Sequence, residues 1–201
     1  MDEYFDYAVF EELGSSPTSM EAARAIDALS MFIGYEETQA DAISAYTQSF
    51  LKGLKTWVHL PKERWPKWWH DLPYHDPVCP LYLALYGHPD SGGYWELQCE
   101  GAVKECGWVG FEEWPSVFWH PKCKALLVIY VDDFKMAAPK YHTKQLWSAI
   151  ERKIKLGPVT SPDRFLGCHL KPFEVKASDV AGLLQHLPEL YPRMKNKAES
   201  M

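Results

Sequence analysis

The sequence predicts an α+β fold in which antiparallel strands interleave with helices that pack on one face of a sheet. Residues 126–131 form an apolar, β-branched run, which is typical of a buried strand. Short polar turns separate this run from residues 117–119 before it and residues 134–138 after it, as in consecutive hairpins. Apolar residues at helical spacing lie on both sides of this strand region.

Each further element follows from a local signal in the chain. Thr18 and Glu21 have the spacing of a capping box, which predicts a helix from there to Gly34. Gly107 and Gly157 are the expected ends of two later helices. In chain order we expect a strand at 38–42, a helical turn at 44–51, a strand at 56–60, an irregular connection at 61–80, helices at 94–106 and 144–156, and one short strand at 165–170.

Bulk composition predicts an intracellular protein with a packed core. The chain has 201 residues, of which 47% are hydrophobic, so it can bury a core of ordinary size. No apolar run is long enough to span a bilayer, and we expect no membrane partner. Five irregularly spaced cysteines favour a reducing compartment, which we expect to be the cytoplasm, with the nucleus also allowed.

Charge is distributed unevenly along a chain of net charge −6. Residues 1–40 carry nine acids and one base, whereas residues 134–171 carry eight bases and two acids. This asymmetry permits a phosphate-binding face on an acidic protein, although a solvated helix face would have the same composition. The candidate phosphate contacts are Lys135, Lys144, Arg152, Lys153 and Lys155.

Asp132 and Asp133 follow directly after the most apolar strand of the chain. Two acids at the end of a buried strand are costly unless a cation meets them. Adjacent carboxylates can hold paired Mg²⁺ ions for nucleotidyl transfer, and an Asp-Asp turn between two strands is the other interpretation. A two-metal site needs a third acid from another element, and Asp41 is the candidate because it ends a predicted strand.

Four motifs in consistent order resemble the reverse transcriptases of copia-type long-terminal-repeat retrotransposons. They are Asp-x-x-x-Ala-Tyr at 41–46, Leu-Tyr-Gly at 85–87, Tyr-Val-Asp-Asp at 130–133 and Phe-Leu-Gly at 165–167. The Pro115-Ser116 step before the hairpin is also similar. The resemblance covers residues 13–172 and implies a polymerase palm with part of the fingers, cut from a larger polyprotein. It leaves residues 1–12 as an acidic N-terminal segment and 173–201 as a tail unlike the family.

The resemblance implies RNA-directed DNA polymerase activity with two Mg²⁺ ions, for which Mn²⁺ can substitute. The expected partners are an RNA or DNA template with its primer, deoxynucleoside triphosphates, and other parts of the polyprotein. The catalytic acids would be Asp41, Asp132 and Asp133, which together with Val131 would form the metal site. Tyr46 would exclude a 2′-hydroxyl. The other expected nucleotide contacts are Tyr86, Gly87, Asp90 and Gly92, and the expected primer grip is Phe165, Leu166 and Gly167.

The chain also departs from the family. Asp90 stands where the family usually has a Gln, and no basic fingers hairpin precedes residue 13. Three alternatives therefore stay open. One is a palm-like cyclase or primase, a likeness of fold only. The second is an inactive retroelement relic that at most binds nucleic acid or protein. The third is a zinc site of Cys99, Cys106, His120 and Cys123, for which the cysteine spacing is poor.

Overall fold

Five antiparallel strands form the central sheet of the computed structural model, which describes residues 18–73, 75–171 and 173–174. These strands are β1 (Tyr35–Asp41), β4 (Val109–Gly110), β5 (Val117–His120), β6 (Ala125–Tyr130) and β7 (Asp133–Pro139). Their spatial order is β1-β7-β6-β5-β4. The predicted hairpins β5–β6 and β6–β7 are confirmed, and the mixed α+β class with them.

Helices cover both faces of this sheet, so the prediction that they pack on one face is wrong. Helix α1 (Met20–Ser30) buries Ala22, Ala23 and Ile26 against one face. Helices α2 (Ser91–Glu105) and α3 (Lys140–Glu151) lie against the other face, where Trp95 and Trp147 are among the buried side chains.

The composition of β6 explains the two covered faces. Leu126 and Val128 pack with α1, whereas Leu127 and Ile129 pack in the cluster of α2 and α3. Successive side chains of a strand point to opposite faces, so a strand without polar alternation needs cover on both sides. The unbroken apolar run of β6 therefore already indicated that helices cover the sheet on both faces.

The ends of several elements also differ from those predicted. Ser19, not Thr18, caps α1, because its hydroxyl accepts a hydrogen bond from the Ala22 amide at 3.3 Å. Helix α3 starts and ends several residues earlier than its apolar spacing indicated. The segment after it instead runs along the open edge of β1, where Gln39 and Thr160 exchange backbone hydrogen bonds of 2.9 and 2.8 Å.

Four shorter strands complete the described structure: β2 (Trp57–His59), β3 (Val78–Pro80), β8 (Arg164–Phe165) and β9 (Cys168–His169). β2 pairs with β3, and β8 pairs with β9, so the single strand predicted at 165–170 is a tight hairpin.

The chain divides into two units, Met1–Cys168 and His169–Met201. The acidic segment 1–12 and nearly all of the predicted tail lie outside the described residues. No helix in the described ranges is long and apolar enough to cross a membrane.

Candidate active site

Asp41 and Asp133 face each other at one end of the sheet. Asp41 is the last residue of β1 and Asp133 the first of β7, and the strand register makes them direct partners. The Ala42 amide donates to the Asp132 carbonyl at 2.7 Å, which ties the two chain segments together just beyond the pair. Residues about ninety positions apart in sequence are thereby brought into one acidic cluster.

The carboxyl group of Asp133 has a raised pKa in this cluster. Burial raises the pKa of Asp133 to about 6, with further contributions from the charges of Asp132 and Asp41 and from a hydrogen bond to the Asp41 side chain. Among the described residues, none of the three carboxylates forms an ion pair. The cluster therefore favours a proton or a bound cation.

A strained turn holds Asp132 in place. Val131 and Asp132 form the two-residue connection between β6 and β7, and Val131 has a φ of 56°. A positive φ is common at such hairpin turns but is unfavourable for a β-branched residue. The Val131 carbonyl accepts a 2.6 Å hydrogen bond from the indole of Trp95 on α2. This bond uses one of the two lone pairs of the Val131 carbonyl oxygen and holds the turn in position, and the expected metal-ligand role of Val131 stays a prediction.

Tyr46 and Tyr86 lie together beside this turn. Their ring centroids are 4.4 Å apart, with the planes tilted by 41°. Burial raises the pKa of the Tyr46 hydroxyl, as do the nearby Tyr86, Asp132 and Tyr130. Tyr46 thus shares an electrostatic environment with the acidic cluster. Gly87 follows with a φ of 92°, a conformation that favours glycine.

Gly92 lies in the first turn of α2 and lines a cavity of about 290 Å³ between that helix and the sheet. The same cavity is lined by Tyr46 and Val131, so it adjoins the tyrosine pair and the strained turn.

The β8–β9 hairpin lies beside the acidic pair and lines a groove with it. A groove of about 520 Å³ is lined by Gln39, Asp41, Tyr130, Asp133 and residues 164–167. Leu166 and Gly167 have φ values of 49° and 77°, as expected for a two-residue turn with both central residues left-handed. The Phe165-Leu166-Gly167 motif therefore comprises the last residue of β8 and the two turn residues of a hairpin beside the acidic pair.

Arg164 was not among the residues singled out from the sequence, yet it lines this groove with Asp41 and Asp133. The only available signal was its place one residue before the Phe-Leu-Gly motif. Its permanent charge makes it suited to bind a phosphate.

Burial contradicts the ligand contacts predicted for two residues. Lys135 is 1% exposed and pairs with Asp27 and Glu37, so it cannot reach a phosphate. Asp90 is 5% exposed at the start of α2, where a carboxylate is favoured by the helix dipole and is shielded from a nucleotide.

The other predicted phosphate contacts are exposed but do not form one face. Lys153 pairs with Glu105 of α2 at 2.6 Å. Lys144 lies on α3, on the sheet face opposite the groove, and Arg152 directly follows that helix. Lys155 lies nearer to the acidic cluster than these residues do. Its backbone carbonyl accepts a hydrogen bond from the Ile43 amide, two residues beyond Asp41.

The zinc hypothesis finds no support in the described residues. Cys99 and Cys123 are buried in the apolar cluster under α2, and Cys106 bonds to the Ala149 carbonyl. The His120 ring accepts a hydrogen bond from the Cys123 amide at 3.2 Å. Among the described residues, no group of three His, Cys, Asp or Glu side chains has the geometry to hold a metal ion.

The donor set at the end of the sheet nevertheless fits a hard divalent cation. Asp41, Asp132 and Asp133 supply carboxylate oxygens, the ligands that Mg²⁺ prefers. Burial, followed by the charges of Asp132 and Asp41, raises the pKa of Asp133, and no described residue forms an ion pair with it. No family model matches the chain, and no curated protein is similar to it in sequence.

Proposed function

We propose that the chain is the palm, with part of the fingers, of an RNA-directed DNA polymerase similar to those of copia-type retrotransposons. The observation that carries the proposal is the register that sets Asp41 opposite Asp133, with Asp132 in the adjoining turn. Three acids from two distant segments at one end of a sheet are what two-metal nucleotidyl transfer needs.

In this proposal Asp41, Asp132 and Asp133 hold two Mg²⁺ ions, or Mn²⁺ in their place. When bound, such ions lower the pKa of a primer 3′-hydroxyl and stabilise the leaving pyrophosphate. Asp133 binds a cation only when ionised, so protons compete with the metal below about pH 6.

The tyrosine pair selects the sugar of the incoming nucleotide. Tyr46 packs on Tyr86 and lies close enough to Asp132 for the two groups to interact electrostatically. A ring fixed there leaves no room for a 2′-hydroxyl, and this favours deoxynucleotides.

The β8–β9 hairpin positions the primer end. Its turn and the side chain of Arg164 share one groove with Asp41 and Asp133. Arg164 binds a backbone phosphate there, and the left-handed turn at Leu166 and Gly167 gives the hairpin a defined shape.

The first test is single-nucleotide extension of a primed RNA template, and then of a primed DNA template, with Mg²⁺ or Mn²⁺. Asp41→Asn and Asp132→Asn each remove one anionic ligand at nearly constant size. We expect each variant to lower the extension rate about 100-fold or more, the usual cost of losing a group aimed at developing charge. Asp71→Asn, at an exposed position, is the matched control and should extend as the native chain does.

The competing hypothesis is a relic that binds nucleic acid or protein without chemistry. It is favoured by the burial of Asp90, which removes one expected nucleotide contact. No extension by the native chain on either template would reject the polymerase proposal. Activity that persists in Asp132→Asn would move the chemistry to another site.

A further inference from the structure

Lys135 is a fully buried cation on β7, two residues after Asp133 and on the same face of the sheet. It pairs with Asp27 of α1, and its Nζ lies 2.9 Å from Glu37 Oε1 on β1. The same Nζ lies over the ring of Phe165, 5.3 Å from the centroid. One ammonium group therefore joins α1, β1, β7 and the β8–β9 hairpin.

The burial of Lys135 and the near-burial of the Glu37 side chain make these two charges interdependent. Removing a charge from water is costly, and a buried ion pair is kept only when each partner is compensated. Glu37 Oε2 accepts from the Ser30 hydroxyl at 3.1 Å, whereas Glu37 Oε1 accepts no hydrogen bond from another described residue. The Lys135 charge is thus the compensation for Oε1.

Phe165 connects the network to the groove. Its side chain is 4% exposed and packs in the apolar cluster of α1, while its neighbours Arg164 and Leu166 line the groove with Asp41 and Asp133. A cation over an aromatic face is attracted to the ring, and more strongly when both groups are desolvated.

We propose that Lys135, held by Asp27 and Glu37, is a positioning residue that fixes the hairpin over the acidic pair through Phe165. Its effect on catalysis rests on the proposed function, because the hairpin would then place the primer end. The mechanical link between Lys135 and the hairpin does not depend on that activity.

Two variants weaken the link without leaving a lone buried charge. Phe165→Leu keeps an apolar side chain and removes the ring. The triple variant Asp27→Asn, Lys135→Met, Glu37→Gln replaces the network with neutral side chains of similar size, which buried ion networks often tolerate. Lys135→Arg keeps a cation that stacks on aromatic rings and serves as the conservative rescue.

The first measurement is hydrogen exchange of a peptide covering residues 162–170. We expect Phe165→Leu and the triple variant to exchange about tenfold faster there, the size of effect expected for a desolvated cation–π contact. Lys135→Arg should remain near the native rate. Lys104→Met, which removes a lysine paired with Glu100 on α2, is the control and should leave this peptide unchanged.

The second measurement is steady-state extension, with primer–template and nucleotide varied separately. We expect the KM for primer–template to rise about tenfold in Phe165→Leu while the nucleotide KM changes less than twofold. A merely structural role would lower the active fraction and leave both KM values unchanged.

Unchanged exchange at residues 162–170 in Phe165→Leu overturns the proposal even if the triple variant does not fold. Faster exchange with an unchanged primer KM overturns the positioning role. If the native chain does not extend primers at all, the proposed function fails, and the exchange experiment still decides whether Lys135 holds the hairpin.

Discussion

At the scale of single residues, the raised pKa of Asp133 makes the stability of the fold depend on pH. Its pKa, raised from 3.8 to about 6, means that the native state holds a proton more tightly than the unfolded chain does. The stabilisation from this group is complete below about pH 4 and is lost as the pH rises through 6. At neutral pH the ionised carboxylate therefore destabilises the fold.

Because the ionised Asp133 carboxylate destabilises the fold, we expect Asp133→Asn to be more stable than the native chain at pH 7.5. The gain in free energy of unfolding should grow between pH 4 and 6 and then level off. We expect about 1 kcal/mol, since a half-exposed carboxyl is partly screened by solvent. Urea unfolding at several pH values measures it, with Asp71→Asn as the exposed control. A difference that does not change with pH would contradict the prediction.

Single residues were also where sequence interpretation failed most. Lys135 and Asp90 have the charges of ligand-contacting residues, but both are buried. Charge is visible in a sequence, whereas burial depends on what another segment places over the residue. Arg164 was missed for the same reason, because only the folded hairpin brings it beside Asp41.

At the scale of elements, the β6–β7 hairpin stores strain at its turn. Val131 adopts a φ of 56°, which a β-branched residue tolerates poorly, and Trp95 holds its carbonyl. Strain of this kind costs roughly 1–3 kcal/mol and is common at functional sites. The hairpin was predicted correctly from its apolar runs, but the strain depends on backbone angles that no residue pattern specified.

We expect Val131→Gly to raise the free energy of unfolding by about 1 kcal/mol, because glycine relieves the left-handed strain. Val159→Gly is the matched control, since Val159 has no positive φ and glycine there should cost about 0.5–1 kcal/mol. Chemical denaturation of both variants at pH 7.5 gives the comparison. Destabilisation by Val131→Gly as large as that of the control would show that the turn is unstrained.

The β8–β9 hairpin illustrates a signal that was present and overlooked. Leu166-Gly167 between two short extended pairs is a possible turn, since glycine suits a left-handed position. The single strand predicted at 165–170 does not include this turn, and the structure replaces it with two paired strands.

At the scale of the whole molecule, the described fold carries an uncompensated acidic cluster at one end of its sheet. A cation that binds only the native state raises stability by mass action, by about 2.7 kcal/mol at 100 times its dissociation constant. Metal binding and folding are therefore coupled in this protein if the proposed site is correct.

We expect Mn²⁺ to raise the Tm of the native chain at pH 7.5, and to raise it less at pH 5.5, where a larger fraction of Asp133 is protonated. The shift should be lost in Asp132→Asn and retained in Asp71→Asn. Scanning calorimetry with and without Mn²⁺ measures it. An equal shift in all three proteins would place the bound metal elsewhere.

The sequence by itself determined the strands β5 to β7, their hairpins and the acids at the end of the most apolar strand. These features depend on local periodicity and turn residues, which a sequence displays directly. The tertiary structure decided which helices cover each face, that Asp41 lies opposite Asp133, and that Lys135 is buried under the hairpin. The Asp41–Asp133 pair and the Lys135–Asp27 contact join segments more than ninety residues apart. The strand register that sets the first of them is a property of the folded chain.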